Sequence, residues 1–210
     1  MALDRNEMNE RVLDIAQTLL NEGGATNLKA RSIAEKAGIA VGSIYNLFGD
    51  LDQVHGFVNM RLLDGLAQAG GTAVRDLKEM GVSDTRLKLL ALSKAYLAFV
   101  QAHAASWAAM LAFNPRRMAP EHISTYEGRL DALFDIIAGV LEEDPDLGLD
   151  HQRCRITARV LWSSVHGIVM NSAGRRQQKR QGEGVWEQID LLVTTFLRGL
   201  EQQVPMPSLQ

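Results

Sequence analysis

The stretch Leu28-Lys-Ala-Arg-Ser-Ile-Ala-Glu-Lys-Ala-Gly-Ile-Ala-Val-Gly-Ser-Ile-Tyr-Asn-Leu-Phe-Gly-Asp-Leu-Asp-Gln-Val54 restricts the fold of this chain more than any other. Ile33, Ala34 and Ala37 put apolar groups on one side of a short helix running to about Lys36. Gly38 ends it, because a glycine accepts the left-handed backbone that closes many helices. Ile39 fills the turn. Val41–Phe48 form a second helix, with Ile44, Leu47 and Phe48 at the three-to-four spacing of a buried stripe. Asp50 with Gln53 suits a capping box at the start of a third. Two short helices around a glycine turn follow the helix-turn-helix plan. In that plan the second helix enters the DNA major groove by its N-terminal end. The competing reading is a helical hairpin that only packs.

A helix over residues 4–22 precedes this pair. Asp4 and Glu7 suit a capping box, and Met8, Val12, Ile15, Ala16, Leu19 and Leu20 make one apolar stripe. Gly23-Gly24 stops it, and Asn27 is placed to cap the next helix. A fourth helix begins after Asp50 and runs to about Met80, with Gly70-Gly71 as a weak point inside it. Five more helices follow, over about 84–104, 106–113, 120–143, 150–171 and 185–202. The fifth is apolar nearly all round, so a central, buried place is expected for it. No stretch shows strand-like alternation. The expected fold is therefore all-α, about nine helices, with a helix-turn-helix domain over 1–52, a helical domain over 53–203 and a tail over 204–210.

Ile33-Ala34, Ala37-Gly38-Ile39, Gly42-Ser43-Ile44-Tyr45 and Phe48 resemble the N-terminal signature of the tetracycline-repressor (TetR/AcrR) family of bacterial transcriptional regulators. The resemblance is sharp over about residues 8–60 and architectural beyond them. Leu161-Trp-Ser-Ser-Val-His-Gly-Ile-Val169 also looks like a subgroup with a Trp/His-Gly signature in its C-terminal domain. The resemblance implies DNA-contact roles for Val41, Gly42, Ser43, Tyr45 and Asn46. Their chemistry suits those roles. The Ser43 and Tyr45 hydroxyls fit phosphate, Asn46 fits an adenine edge, and Val41 fits a thymine methyl. Lys29 and Arg31, at the start of the second helix, can reach phosphates.

Two residues depart from the family pattern. Leu47 stands where histidine is common, and Leu51 where lysine is usual. The lost lysine matters because positive charge is scarce. The chain carries a formal charge of −3, and residues 1–55 hold five basic against eight acidic residues. Within 28–49 the balance is +2, from Lys29, Arg31 and Lys36 against Glu35. Phosphate contacts supply much of DNA affinity, so the footprint is local and weak.

Beyond the motif, the resemblance implies a ligand pocket among the helices of the second domain. Tyr96, Phe99, His103, Trp107, Met110, Tyr126, Trp162 and His166 are candidate lining residues. Aromatic and methionine side chains at helical spacing are also what a plain core contains. A mainly apolar or aromatic effector is expected. The eighth and ninth helices are apolar on more than one face, which a two-fold dimer through them would cover.

An enzyme is disfavoured. No glycine-rich phosphate loop follows a strand, no carboxylate pair sits in an apolar setting, and no metal-ligand spacing surrounds His103 or His166. No catalytic residue, metal or cofactor is expected. Cys154 is the single cysteine, so no intrachain disulfide forms. Arg153 and Arg155 beside it would favour a reactive thiolate, but a half-buried structural cysteine is the better reading. The basic run 175–180 reads as a solvated loop. No apolar run approaches a membrane span, and the first residues lack a signal core, so a cytoplasmic protein is expected. These features point to a homodimeric, ligand-responsive repressor on double-stranded DNA. The alternative is a dimeric ligand-sensing or interaction module with weak or lost DNA binding.

Overall fold

The computed structural model describes residues 4–173 and 181–202; the basic run 175–180 and the tail 204–210 lie outside them. Among the described residues there are nine α-helices and no strand. They are α1 (Arg5–Gly23), α2 (Ala30–Ala37), α3 (Val41–Phe48), α4 (Leu51–Glu79), α5 (Thr85–Ala102), α6 (Ala104–Ala112), α7 (Pro120–Glu142), α8 (His151–Ala173) and α9 (Gln181–Glu201). The chain packs as two compact units. One holds residues 1–65 with 99–130, and the other holds 66–98 with 131–210. The division falls inside α4, α5 and α7.

In the first unit, the stripes of α1, α2 and α3 close on one core with the start of α4. Val12, Ala16 and Leu20 meet Ile33, Ala34, Ile44, Val54 and Val58, all essentially excluded from solvent. Full burial of one such branched side chain stabilises by roughly 1.5–3 kcal/mol, so the core outweighs the poor intrinsic stability of eight-residue helices. The capping box at Asp4 forms, and the Asp4 N–H donates to Glu7 Oε2 at 3.1 Å. Gly38 takes φ 68°, ψ 35°, and the Ile39 N–H closes the turn onto the Ala34 carbonyl at 3.0 Å. This is the left-handed closure that a Cβ would strain.

Two expected caps are corrected. Asn27 does not cap α2. It ends a short 3-10 turn, Gly24–Asn27, and its side chain lies over Gly23, where a Cβ would come within 2.1 Å of its amide nitrogen. The cap position is Lys29, in extended backbone. At α4 only half of the box forms. The Gln53 N–H donates to Asp50 Oδ1 at 2.8 Å, but the Gln53 side chain accepts from the Ala119 N–H at 3.2 Å. A tertiary partner has captured the side chain that the local motif would use.

That bond belongs to a clamp between the start of α4 and the segment leading into α7. Asp52 pairs with Arg117 at 2.8 Å, the His55 ring lies 4.7 Å from Phe113, and the Phe57 ring lies 4.8 Å from His122. Burial lowers the His55 pKa; Asp52 opposes the shift and Arg117 adds to it. The folded unit therefore holds His55 neutral, while the unfolded chain protonates near the ordinary value of 6.5. The unfolded state then binds more protons, and stability falls as pH drops below 6.5. His55→Gln should flatten that acid-side slope in denaturant titrations. An unchanged slope would rule His55 out as its source.

The second unit is built from the later part of α4, most of α5, the end of α7, α8 and α9. Leu66, Leu89, Leu133, Leu161, Ile189 and Val193 are among its buried residues. Gly70 does not break α4. It admits Leu92, whose Cδ2 would lie 3.2 Å from an added Cβ. The expectation for α5 holds only in part: Leu89, Leu90 and Tyr96 are buried, but Leu87 is 43% exposed. Lys88 on the same helix is buried and bonds Glu143 at 2.9 Å, so a paired charge occupies part of the interior. Cys154 is fully buried. Burial raises its thiol pKa, and Glu142 and Asp150 push the same way. The flanking arginines do not activate it; Arg155, for one, pairs with Asp135 at 3.2 Å.

Candidate functional site

Helix α3 sorts its eight residues sharply. Ile44 and Phe48 face the core, and Phe48 meets Phe57 edge-on at 6.0 Å. Val41, Gly42, Tyr45 and Asn46 are exposed along the opposite side, and Ser43 is half-exposed at their edge. Positions i, i+1, i+4 and i+5 share one helix face, so the core stripe itself decides which residues point outward. Nothing lies within 4 Å of the place where a Gly42 Cβ would sit. Tyr45 is 46% exposed. Lys29 and Arg31 are exposed at the start of α2. Leu47 and Leu51 do not join this face; both are half-buried and pack against the core of the first unit. Their departure from the family pattern thus replaces polar groups with packing.

The eight candidate ligand residues fall in two units. Phe99, His103, Trp107, Met110 and Tyr126 lie in the first unit. There Phe99 meets the His103 ring at 4.5 Å and Trp107 at 6.3 Å, and Trp107, Met110 and Tyr126 are buried. Tyr96, Trp162 and His166 lie in the second unit. The Tyr96 ring packs 4.8 Å from Trp162, and its hydroxyl bonds His166 Nδ1 at 2.6 Å. Burial lowers the His166 pKa and favours the neutral ring. A neutral imidazole offers one N–H and one lone pair, and a hydroxyl can partner either. Phe134 meets Trp162 edge-on at 6.1 Å, and the Arg159 guanidinium sits 5.0 Å above Phe134.

Tyr96 and Trp162 line a cavity of about 50 Å³ within the second unit. The rest of its wall is mostly aliphatic: Leu66 and Gly70 from α4, Leu89, Leu92 and Ser93 from α5, Leu133, Ile136 and Ile137 from α7, Leu161 and Val165 from α8, and Val193 from α9. Selecting aromatic and titratable side chains from the sequence passes over these residues. The signal that finds them is the same-face spacing of Leu89, Ser93 and Tyr96, and of Leu161, Trp162 and Val165.

A third feature lies on the outside of α8 and α9. Ile156, Val160 and Leu191 are 51%, 46% and 68% exposed. Beside Leu191 an open groove of about 760 Å³ is lined by Ile168, Leu192, Phe196 and Leu200 with Gln188, Thr195 and Gly199. Among the described residues no group of histidine, cysteine and carboxylate side chains is arranged to hold a metal ion, and no helix is long and apolar enough to cross a membrane.

Residues 89–195 match the family model described as tetracyclin repressor-like, C-terminal domain. The matched segment contains Tyr96, the cavity wall of α5, α7 and α8, and the Trp162-to-Gly167 motif. None of the curated proteins matches the chain. Among solved structures, a putative TetR-family regulator from Mesorhizobium loti superposes with TM-score 0.70 at 16% identity, covering 94% of this chain and 98% of that one. A transcriptional regulator from a Rhodococcus species gives TM-score 0.68 at 20% identity, with 94% and 99% covered. The TetR-family regulator PfmR from Thermus thermophilus gives 0.63 at 19%, with 91% and 100% covered. At these identities the likeness is one of fold.

Proposed function

This chain belongs to the TetR family of transcriptional regulators, and on that premise we propose that it is a ligand-responsive repressor binding a near-palindromic operator as a homodimer. Members of the family are regulators, not enzymes. The observation that carries the reading is α3, whose exposed side holds Val41, Gly42, Tyr45 and Asn46 while Ile44 and Phe48 anchor it. Asn46 reads a base edge, Val41 meets a thymine methyl, and Ser43 and Tyr45 hold phosphates. Lys29 and Arg31 add phosphate contacts beside the N-terminus of α2. The dimer forms through α8 and α9, covering Ile156, Val160 and Leu191. It works in the cytoplasm, where its DNA is.

A small, mainly apolar effector occupies the cavity beside Tyr96 and Trp162. Helix α4 runs unbroken from the end of the helix-turn-helix to the cavity wall at Leu66 and Gly70. An effector that binds the DNA-free state more tightly shifts α4 and releases the operator. Selection from a random DNA library should return a two-fold symmetric site with half-sites about one helical turn, roughly 34–36 Å, apart. Enrichment of no sequence over random DNA would reject the reading in favour of a sensing module that no longer binds DNA. The acidic balance of residues 1–55 and the packed Leu47 and Leu51 are what favour that second reading.

Leu51 offers a milder test. It is the first residue of α4 and half-buried, so Leu51→Lys loses some packing but places a cation where the family usually has one. Operator binding should tighten, and the salt dependence should steepen by about one released counterion per half-site. An unchanged salt slope would mean that residue 51 does not face the phosphates.

A further inference from the structure

The connection between α6 and α7 places two arginines beside the start of α4, where residues 49–54 hold Asp50 and Asp52 but no lysine or arginine. Resting on the operator-binding reading above, we propose that Arg116 and Arg117 hold a backbone phosphate at the rim of the groove that α3 enters. Three observations carry this. The first is position. The connection belongs to the same unit as the helix-turn-helix. Arg117 Nη2 lies 2.8 Å from Asp52 Oδ2, and Asp52 is the second residue of α4. An eight-residue helix is about 12 Å long, close to the width of the major groove. With the N-terminal end of α3 on the bases, the turn from its other end into α4 stands level with the phosphates.

The second is charge. Two nearby cations are committed, Arg129 to Asp64 at 2.9 Å and Arg61 to Asp14 at 2.8 Å. Arg116 is exposed, and no carboxylate holds it among the described residues. The Arg117 side chain is 64% exposed and meets Asp52 through one nitrogen. A guanidinium carries five N–H donors in a planar fork, so this pair leaves donors for a phosphate. With five basic against eight acidic residues over 1–55, the helix-turn-helix is short of the charge that phosphate contacts need.

The third is rigidity. The Asn114 side chain accepts from the Arg116 N–H at 3.1 Å, and Pro115 lies between them. Met118 is buried against Gly56, where an added Cβ would come within 2.5 Å of its Cε. The Ala119 N–H donates to Gln53 Oε1 at 3.2 Å. The backbone that bears the arginines is thus fixed on α4 before DNA arrives, and only side chains need ordering on binding.

The test is the salt dependence of binding of the full-length protein to its selected operator and to random duplex DNA. Arg116→Gln should weaken both by the same factor, about eightfold per half-site at about 0.1 M salt. It should also flatten the slope of log Kobs against log salt by about 0.9 per half-site. Arg117→Gln should weaken binding, whereas Asp52→Asn should tighten it by removing an anion that competes for Arg117. Thermal melts of each variant check the fold. If the Asp52–Arg117 pair were only structural, both of its variants would weaken binding. That result, or an unchanged slope in Arg116→Gln, would overturn the proposal while sequence-specific binding kept the operator reading. Selection that enriched no sequence, with the slope on random DNA still flattened in Arg116→Gln, would do the reverse. Absence of binding to any duplex would remove both.

Discussion

Leu191→Asp should turn the protein into a monomer and weaken operator binding by about two to four orders of magnitude. Leu191 is 68% exposed on α9, beside an apolar groove that runs along Leu192, Phe196 and Leu200. In an isologous interface each residue appears twice, so one substitution buries two unpaired carboxylates. An uncompensated buried charge costs several kcal/mol, enough to dissociate a modest helical interface. Operator affinity then falls because each subunit holds only one half-site. The second contact is no longer made at the high effective concentration that a tethered partner provides. Sedimentation velocity and gel-shift titration of the same preparation would check both parts. The fold should be intact, since an exposed position tolerates a polar side chain within about 0.5 kcal/mol. A variant that stays dimeric would move the interface away from α9.

The second large effect belongs to Asn46. A good bidentate contact to a base is worth about 1–3 kcal/mol. A two-fold operator uses it twice, so Asn46→Ala should cost the dimer about 2–6 kcal/mol, or roughly 30-fold to 10⁴-fold in affinity. The loss should concentrate at one base pair in each half-site, where the variant becomes indifferent to sequence. If Tyr45 contacts phosphate as proposed, Tyr45→Phe should weaken all sequences evenly and by less. Binding the two proteins to operators altered one position at a time separates the cases. If Asn46→Ala lowered affinity evenly across all sequences, Asn46 would be a backbone contact.

Both variants depend on features that the sequence shows unequally. The outward face of α3 follows from residues 41–48 alone. Once Ile44 and Phe48 must be buried, a helix of that length has only one outward side, and Val41, Gly42, Tyr45 and Asn46 lie on it. Gly38 is equally legible, because its left-handed backbone is a local demand. The caps are less so. Asn27 and Gln53 have the right chemistry and spacing, yet their side chains go to Gly23 and Ala119, because a cap competes with every other partner the fold brings near. Helix α9 starts at Gln181, not Val185, since Gly182 and Gly184 weaken a helix without forbidding it.

The cavity is the least legible element. Periodicity says which side of a helix is apolar but not which other helix it meets. Tyr96 and Phe99 are three residues apart on α5, yet one faces the Trp162–His166 cluster and the other packs with His103 and Trp107. The aromatic candidates therefore fall in two units, and most of the cavity wall is aliphatic residues that no motif marks.

By itself, then, the sequence determined the helical class, the helix-turn-helix and the identity of its outward residues, because each rests on contacts within a few residues or on one helix period. Only the tertiary structure decided the packing of Leu47 and Leu51 against the core of the first unit, the burial of Cys154 and the mostly aliphatic wall of the cavity beside Tyr96. Those depend on which distant surfaces come together, and packing resolves them through many small contacts that leave no local signature.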